Sequence, residues 1–143
     1  MNTMKTYLGL DVGDRRIGVA VSRLGTVAMP LEVIERDGHE MERLASLVHE
    51  HEVEGIVAGM PYSLDGAEKV QAEKVRAFLA LWSEVSPIPV YTVDERLTTV
   101  QSNRLLIEAG QRTRERKKVV DQMAAALILQ LFLDQKTANI GGS

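Results

Sequence analysis

Cysteine is absent from this 143-residue chain, which excludes a disulfide framework and any thiolate metal site and agrees with a reducing compartment. Aromatic residues reach only 4%, with one Trp, three Tyr and two Phe, too few to read nucleic-acid bases by extensive stacking; Tyr62 and Tyr91 are the two placed to stack a base. No apolar run approaches the ~18 residues of a membrane span, and the opening MNTMKTYLGLDVGDRR lacks the apolar stretch of a signal peptide. The expectation is a cytoplasmic protein with no membrane partner. Repeats, linkers and low-complexity segments are missing too. Gly59-Met60-Pro61 with Gly66 is no phosphate loop, because the Gly-Lys-Ser/Thr ending does not follow.

What is present is 45% hydrophobic and 26% charged residues, the composition of a globular protein with room for one core. A single domain over residues 1–143 is expected, with an ordered core over about 5–136 and a frayed tail, 137–143, ending in NIGGS. The formal net charge of −3 conceals an asymmetry. Between Arg96 and Lys118 seven basic residues (Arg96, Arg104, Arg112, Arg114, Arg116, Lys117, Lys118) face only Glu108 and Glu115. Such a patch can hold a polyanion in spite of the acidic total, although many such runs are simply solvated loops.

Hydrophobic periodicity orders the elements. Residues 6–12, 16–22 and 27–34 alternate or run apolar and are broken by Gly13-Asp14 and Arg23-Leu24-Gly25, as three consecutive strands would be. Asp37 with Glu40 predicts a capping box for a helix whose Met41, Leu44, Leu47 and Val48 recur at helical spacing, ending near His51. GIVAGM (55–60) reads as a buried strand stopped by Pro61. Asp65 and Glu68 repeat the capping pattern before a second helix with Val75, Phe78, Leu79, Trp82 and Val85 on one face, ended by Pro87. IPVYTVDE (88–95) is the fifth strand. Thr98 with Gln101 predicts a further helix to Ala109, stopped by Gly110; after a basic loop, Val119 to Asp134 form a last, apolar helix.

The order β-β-β-α-β-α-β-α predicts an α/β fold with a mixed five-stranded sheet, an antiparallel meander continued by parallel strands with helices on both faces. Right-handed crossovers place the fourth strand beside the first and the fifth beyond it. Sites in such sheets lie at the carboxyl ends of the parallel strands, and Asp11 ends the first strand.

Two further acids can reach that edge. Asp94 and Glu95 end the fifth strand on opposite faces, so one of them can share the face of Asp11. Asp121 is in helical register with Ala125, Ile128 and Phe132, the face that must pack on the sheet. Ionised carboxylates ~5 Å apart repel by roughly 3 kcal/mol at an effective dielectric near 20, so a converging set needs protons or a cation. Oxygen ligands without His or Cys suit Mg²⁺ or Mn²⁺; His39, His49 and His51 lie on or before the first helix, away from the edge. Each acid also has a purely structural reading. Asp11 can cap the turn with Gly13, Glu95 can be a solvated strand end, and Asp121 can be a first-turn acid favoured by the helix dipole.

The stretches LGLDVGDRRIGVAVS, IVAGMPYSLDG, VDERLTT and VDQMAAALILQLFLD, in this order and spacing, resemble the YqgF family, also called RuvX or pre-resolvases, of the RNase H-like superfamily. The resemblance covers about residues 5–134. It implies an RNase H-like nuclease domain related to Holliday-junction resolvases, with a Mg²⁺- or Mn²⁺-dependent site whose acids fall on Asp11, Glu95 and Asp121. A resolvase-like acid near Gly59 to Pro61 is missing, so Glu95 must take that role. Asp11 is then the ligand bridging two ions, with Glu95 and Asp121 each completing one, a pair that activates water and stabilises the leaving oxygen at phosphorus. Arg15, Arg16 and Arg96 would clamp the phosphate, and Arg112, Arg114, Arg116, Lys117 and Lys118 the flanking backbone, giving affinity without sequence preference.

The family implies branched DNA or precursor ribosomal RNA as the nucleic-acid partner, and the residues leave that choice, and monomer against homodimer, open. Two rival readings remain. The first hairpin also resembles the phosphate-binding hairpin of actin-like and sugar-kinase ATPases, which need two such domains. A non-catalytic RNA- or ribosome-binding module would keep the fold and the acids without a metal site.

Overall fold

The computed structural model describes residues 5–23, 26–61, 66–95 and 114–141. Five strands, β1 (Tyr7–Val12), β2 (Arg16–Ser22), β3 (Met29–Glu35), β4 (Gly55–Met60) and β5 (Val90–Asp94), and three helices, α1 (Glu40–Glu50), α2 (Gly66–Val85) and α3 (Arg114–Gly141), make up the described residues. The strands form one sheet in the order β3-β2-β1-β4-β5. The first three pair antiparallel, while β4 runs parallel to β1 and β5 parallel to β4, the mixed sheet that the element order predicts.

Strand β1 is buried along all six residues because helices cover both faces, and its side chains therefore divide by alternation. Leu8, Leu10 and Val12 enter a core with Ile56, Ala58 and Met60 of β4, Leu44 and Leu47 of α1, and Val75, Phe78, Leu79 and Trp82 of α2. Tyr7 lies in the opposite layer with Val57, Val93 and the α3 residues Ala124, Ala125, Ile128, Leu129 and Leu133. The small residues of α3 let its backbone approach closely: a Cβ on Gly9 would stand 2.6 Å from Leu129 Cβ and 2.7 Å from the Ala125 carbonyl oxygen. Helix α1 closes with Glu52 in the left-handed region (φ 51°), and Val53 N donates to Val48 O at 2.9 Å, the bonding of a Schellman end without its usual glycine.

Several boundaries differ from expectation. Helix α3 begins at Arg114 rather than Val119 and runs to Gly141 rather than 134, so residues 114–118 at the end of the basic run are helical and most of the expected tail continues the helix. Arg, Lys and Glu are good helix formers, and no Gly or Pro stops them; a polar run simply has no apolar period to reveal it. Asp37 and Glu40 do not build a capping box: His39 is the N-cap and makes no side-chain cap bond. Asp37 Oδ1 instead accepts from His39 N, and Glu40 Oε1 from Gly38 N, a turn one step ahead of the helix. Strand β3 starts later than expected, and its pairing slips between Val19 and Ala20, which leaves Leu31 as a bulge beside Pro30 on an edge strand that tolerates the missing N–H. Strand β5 is likewise shorter than residues 88–95, and Val85 is 52% exposed rather than on the buried face of α2. The cap at Asp65 and the helix from Thr98 to Ala109 lie outside the described residues.

Candidate active site

Asp11 ends β1 on the α3 side of the sheet, by alternation from Tyr7 and Gly9. Its cross-strand partner in β2 is Gly18, and Leu10 pairs with Ala58 of β4, which makes Gly59 its neighbour on the other side. A glycine stands on each flank of the acid for a physical reason. A Cβ on Gly18 would collide with the backbone of Asp121, so the start of α3 rests directly on β2. A Cβ on Gly59 would stand 2.8 Å from Glu95 Oε1 and 2.9 Å from Glu95 Cγ; the Glu95 side chain therefore folds over the end of β4.

Val93 is buried in the α3 layer, so Asp94, the last residue of β5, alternates to the opposite face, while Glu95, just beyond the strand, lies against Gly59 beside Ile128 on the α3 side. Asp11 and Glu95 are each only 8% exposed, two acids buried on one face around Gly59. Asp121 occupies the same end of that layer, but its Oδ2 accepts from Arg16 Nε at 2.9 Å, with both side chains about four-fifths buried. Among the described residues no three acids or histidines close into a metal-binding group. Asp11 and Glu95 offer hard oxygen donors that suit a divalent cation; the third expected ligand is held by an arginine.

Arg16 also lines a shallow concavity of about 300 Å³ with Gly13, Asp14, Arg15 and Asp121. The β1–β2 turn that shapes it is tied from the rest of the fold. Gly13 N donates to Arg16 O and Arg36 N to Arg15 O, both at 2.9 Å. Arg36 Nη1 donates to Gly13 O at 2.9 Å, while its guanidinium sits 5.3 Å over the Phe78 ring and bonds Glu40 at 3.2 Å. Partial burial raises the Glu40 carboxyl's pKa, but bonds from its own N–H, Gly38 N–H and Arg36 outweigh it and hold the group below the usual carboxylate value. Helix α2 adds Gln71, bonded to Val12 O at 3.3 Å, and Lys74, which bridges to Asp14 at 3.3 Å.

Of the expected phosphate contacts, Arg15 is exposed beside the concavity and Arg16 is committed to Asp121. Arg116 and Lys117 are exposed on the first turns of α3, and Lys118 pairs with Glu35 at 3.4 Å. The side chain of Arg114, the residues Arg96 and Arg112, and Tyr62 lie outside the described part. Tyr91 is not near Asp11. It packs on Phe132, with ring centroids 5.0 Å apart, at the opposite end of β5, about 13 Å of strand from Glu95. Sequence reasoning missed Arg36, Gly18 and Gly59; the glycines carried a usable signal, since a glycine inside a strand often marks the close approach of another backbone or side chain.

The family profile described as "RuvX: Holliday junction resolvase" matches residues 5–135. The chain belongs to the RuvX family. It is accordingly a nuclease, a phosphodiester hydrolase. Among curated relatives, a "Putative pre-16S rRNA nuclease" of Desulforamulus reducens is 50% identical over 130 residues, covering 89% of this chain and 95% of the relative. One of the same name from Fusobacterium nucleatum is 44% identical over 137 residues, covering 93% and 99%. Among solved structures, Thermus thermophilus RuvC in complex with a Holliday junction substrate superposes with a TM-score of 0.59 at 14% identity, covering 92% of this RuvX-family chain and 96% of that one. At that identity the likeness establishes the fold. Among the described residues no helix is long and apolar enough to cross a membrane.

Proposed function

We propose that this RuvX-family chain is a Mg²⁺- or Mn²⁺-dependent nuclease that cleaves precursor ribosomal RNA of the small subunit. The observation that supports it most is the pair of buried carboxylates, Asp11 and Glu95, brought to one face at the carboxyl end of the parallel strands. On that face they offer hard oxygen donors of the kind a divalent cation takes. Asp11, Glu95 and Asp121 would hold the ion. When bound, it supplies charge neutralisation and an activated water for in-line attack at phosphorus. The rest falls to the chain. Glycines at 18 and 59 leave room for the backbone of α3 and for Glu95 respectively, the tied β1–β2 turn fixes Asp11 relative to Arg15 and Arg16, and Arg15 would meet a phosphodiester in the concavity beside the Arg16–Asp121 pair. Arg116 and Lys117 extend the positive surface along α3, joined by Arg96, Arg112, Arg114 and Lys118 in the wider binding set.

RNA is favoured because relatives 42–50% identical over most of the chain carry the rRNA name, whereas the junction-bound neighbour is 14% identical. Branched DNA is the second reading, favoured by the family description. The test is cleavage of a pre-16S rRNA fragment, single-stranded DNA and a four-way DNA junction by the purified chain with Mn²⁺. Cutting of the rRNA fragment in preference to both DNAs is expected; cutting of the junction alone would overturn the RNA assignment, and cutting of none would favour a binding module.

A further inference from the structure

The β1–β2 ladder ends with Val12 opposite Ile17, and the turn beyond it is gripped by a single residue, Arg36, that follows β3. Arg36 N donates to Arg15 O at 2.9 Å. Its side chain crosses to the other end of the turn, where Nη1 donates to Gly13 O at 2.9 Å. The same guanidinium donates through Nε to Glu40 Oε2 at 3.2 Å and lies 5.3 Å over the Phe78 ring. Both anchors are themselves held: the other oxygen of Glu40 accepts from Gly38 N at 2.8 Å, and Phe78 of α2 is 1% exposed in the larger core. Asp14 and Arg15, at the tip of the turn, are exposed. The turn is thus clamped from the α1 and α2 layer, the side of the sheet that does not carry Asp11.

Resting on the proposed site, in which Asp11 and Arg15 serve the attack on a phosphodiester, we infer that Arg36 is a positioning residue for cleavage. Asp11 precedes Gly13 by two residues and Arg15 follows it by two, so the setting of the carboxylate against the arginine passes through the backbone that Arg36 grips at both ends. Arg36 acts through this turn and not on the substrate. A charge-assisted bond is stronger than a neutral one. The planar fork meets Gly13 O and Glu40 at once while stacked on an aromatic face, a combination that a lysine cannot reproduce. Rates fall steeply when reacting groups are misplaced by as little as ~1 Å. The proposed backbone contacts of Arg116 and Lys117 lie on α3 and do not depend on the turn, so the loss of Arg36 falls on the rate at saturating substrate and little on affinity.

The experiment measures kcat and KM of the full chain, Arg36→Ala and Asp11→Asn on the pre-16S rRNA fragment, single-stranded DNA or the four-way junction, whichever the unsubstituted chain cuts. Each assay is repeated with millimolar guanidinium chloride and with the same concentration of sodium chloride. The Arg36 side chain is 25% exposed, so its removal opens a slot that a free guanidinium ion can enter from solvent. Arg36→Ala is expected to lower kcat about 10-fold with KM within about 2-fold, and guanidinium to restore part of kcat in that variant alone. Guanidinium weakens folding, so it does not repair a loss that is only one of stability. Full kcat in a folded Arg36→Ala, or a loss that guanidinium leaves unchanged, would overturn the inference. Should Arg36→Ala fail to fold, Arg36→Lys takes its place, with kcat expected several-fold lower at unchanged KM; an unchanged kcat overturns the inference equally. Asp11→Asn separates the two levels of the account. Cleavage by Asp11→Asn at the unsubstituted rate would overturn the proposed site and the inference with it, whereas an inactive Asp11→Asn beside a fully active Arg36→Ala would overturn the inference alone.

Discussion

Asp94 and Glu95 are adjacent and chemically alike, yet the contact of Glu95 with the Gly59 position, beside Ile128, puts it on the face of Asp11, while Asp94 alternates away from the buried Val93. Glu95→Gln should therefore lower cleavage by at least ~100-fold, as loss of a metal ligand or its close support does. Asp94→Asn should leave the rate within a few-fold; a kinetic assay showing the reverse would place the ligand one residue earlier. Position 59 gives a second prediction. A methyl group there meets Glu95 Oε1 and Ile128 Cδ1, both ends of flexible side chains, so Gly59→Ala should displace Glu95 and reduce activity more than stability. Denaturant unfolding should register a loss of about 1–2 kcal/mol. Asp11 and Asp121 stand out in the sequence from a strand end and a helical register, whereas Asp94 and Glu95 could not be told apart there and the family resemblance favoured Glu95. The partner of Asp121 was not legible, because no local pattern links residues 105 apart, and neither was the packing role of Gly59, whose neighbour in space belongs to another strand.

Among the elements, α3 carries the most consequence for the site. It lies against β2 where Gly18 has no side chain, and the atoms it would strike there are backbone, which cannot rotate away. Gly18→Ala should therefore cost more than Gly59→Ala, about 3 kcal/mol, and comparison of their urea midpoints checks the order. The strands were readable from alternating or continuous apolar runs bounded by turn residues, and α1 and α2 from their apolar faces. The start of α3 was not, because its first turns are charged all round and their helical state comes from propensity and continuity with the apolar stretch beyond. That extension places residues 114–118 of the basic run on a helix. Replacing Arg114, Arg116, Lys117 and Lys118 by Ala should weaken binding about equally for all sequences and reduce the salt dependence by up to roughly four phosphate contacts. Lys118 should contribute least, since Glu35 already engages it. A salt slope unchanged in a filter-binding or fluorescence titration would make the run a solvated helix face.

At the scale of the molecule, a meander followed by two parallel crossovers brings three distant segments, carrying residues 11, 95 and 121, to one end of the sheet. Helices α1 and α2 seal the opposite face with the larger core, leaving the α3 layer to combine apolar packing at one end with buried acids at the other. On the proposed function the acidic total and the local basic run would have complementary uses: the acids would hold a cation inside, and the arginines and lysines would meet phosphates outside. The most direct measurement is the rate of cleavage of a pre-16S rRNA fragment as Mn²⁺ is raised, for the unsubstituted chain and for Asp11→Asn, with circular dichroism confirming that both are folded. The expected result is saturable Mn²⁺-dependent cleavage that falls by at least ~100-fold in Asp11→Asn. Cleavage by Asp11→Asn at the unsubstituted rate, or cleavage by the unsubstituted chain that persists in excess EDTA, would contradict it.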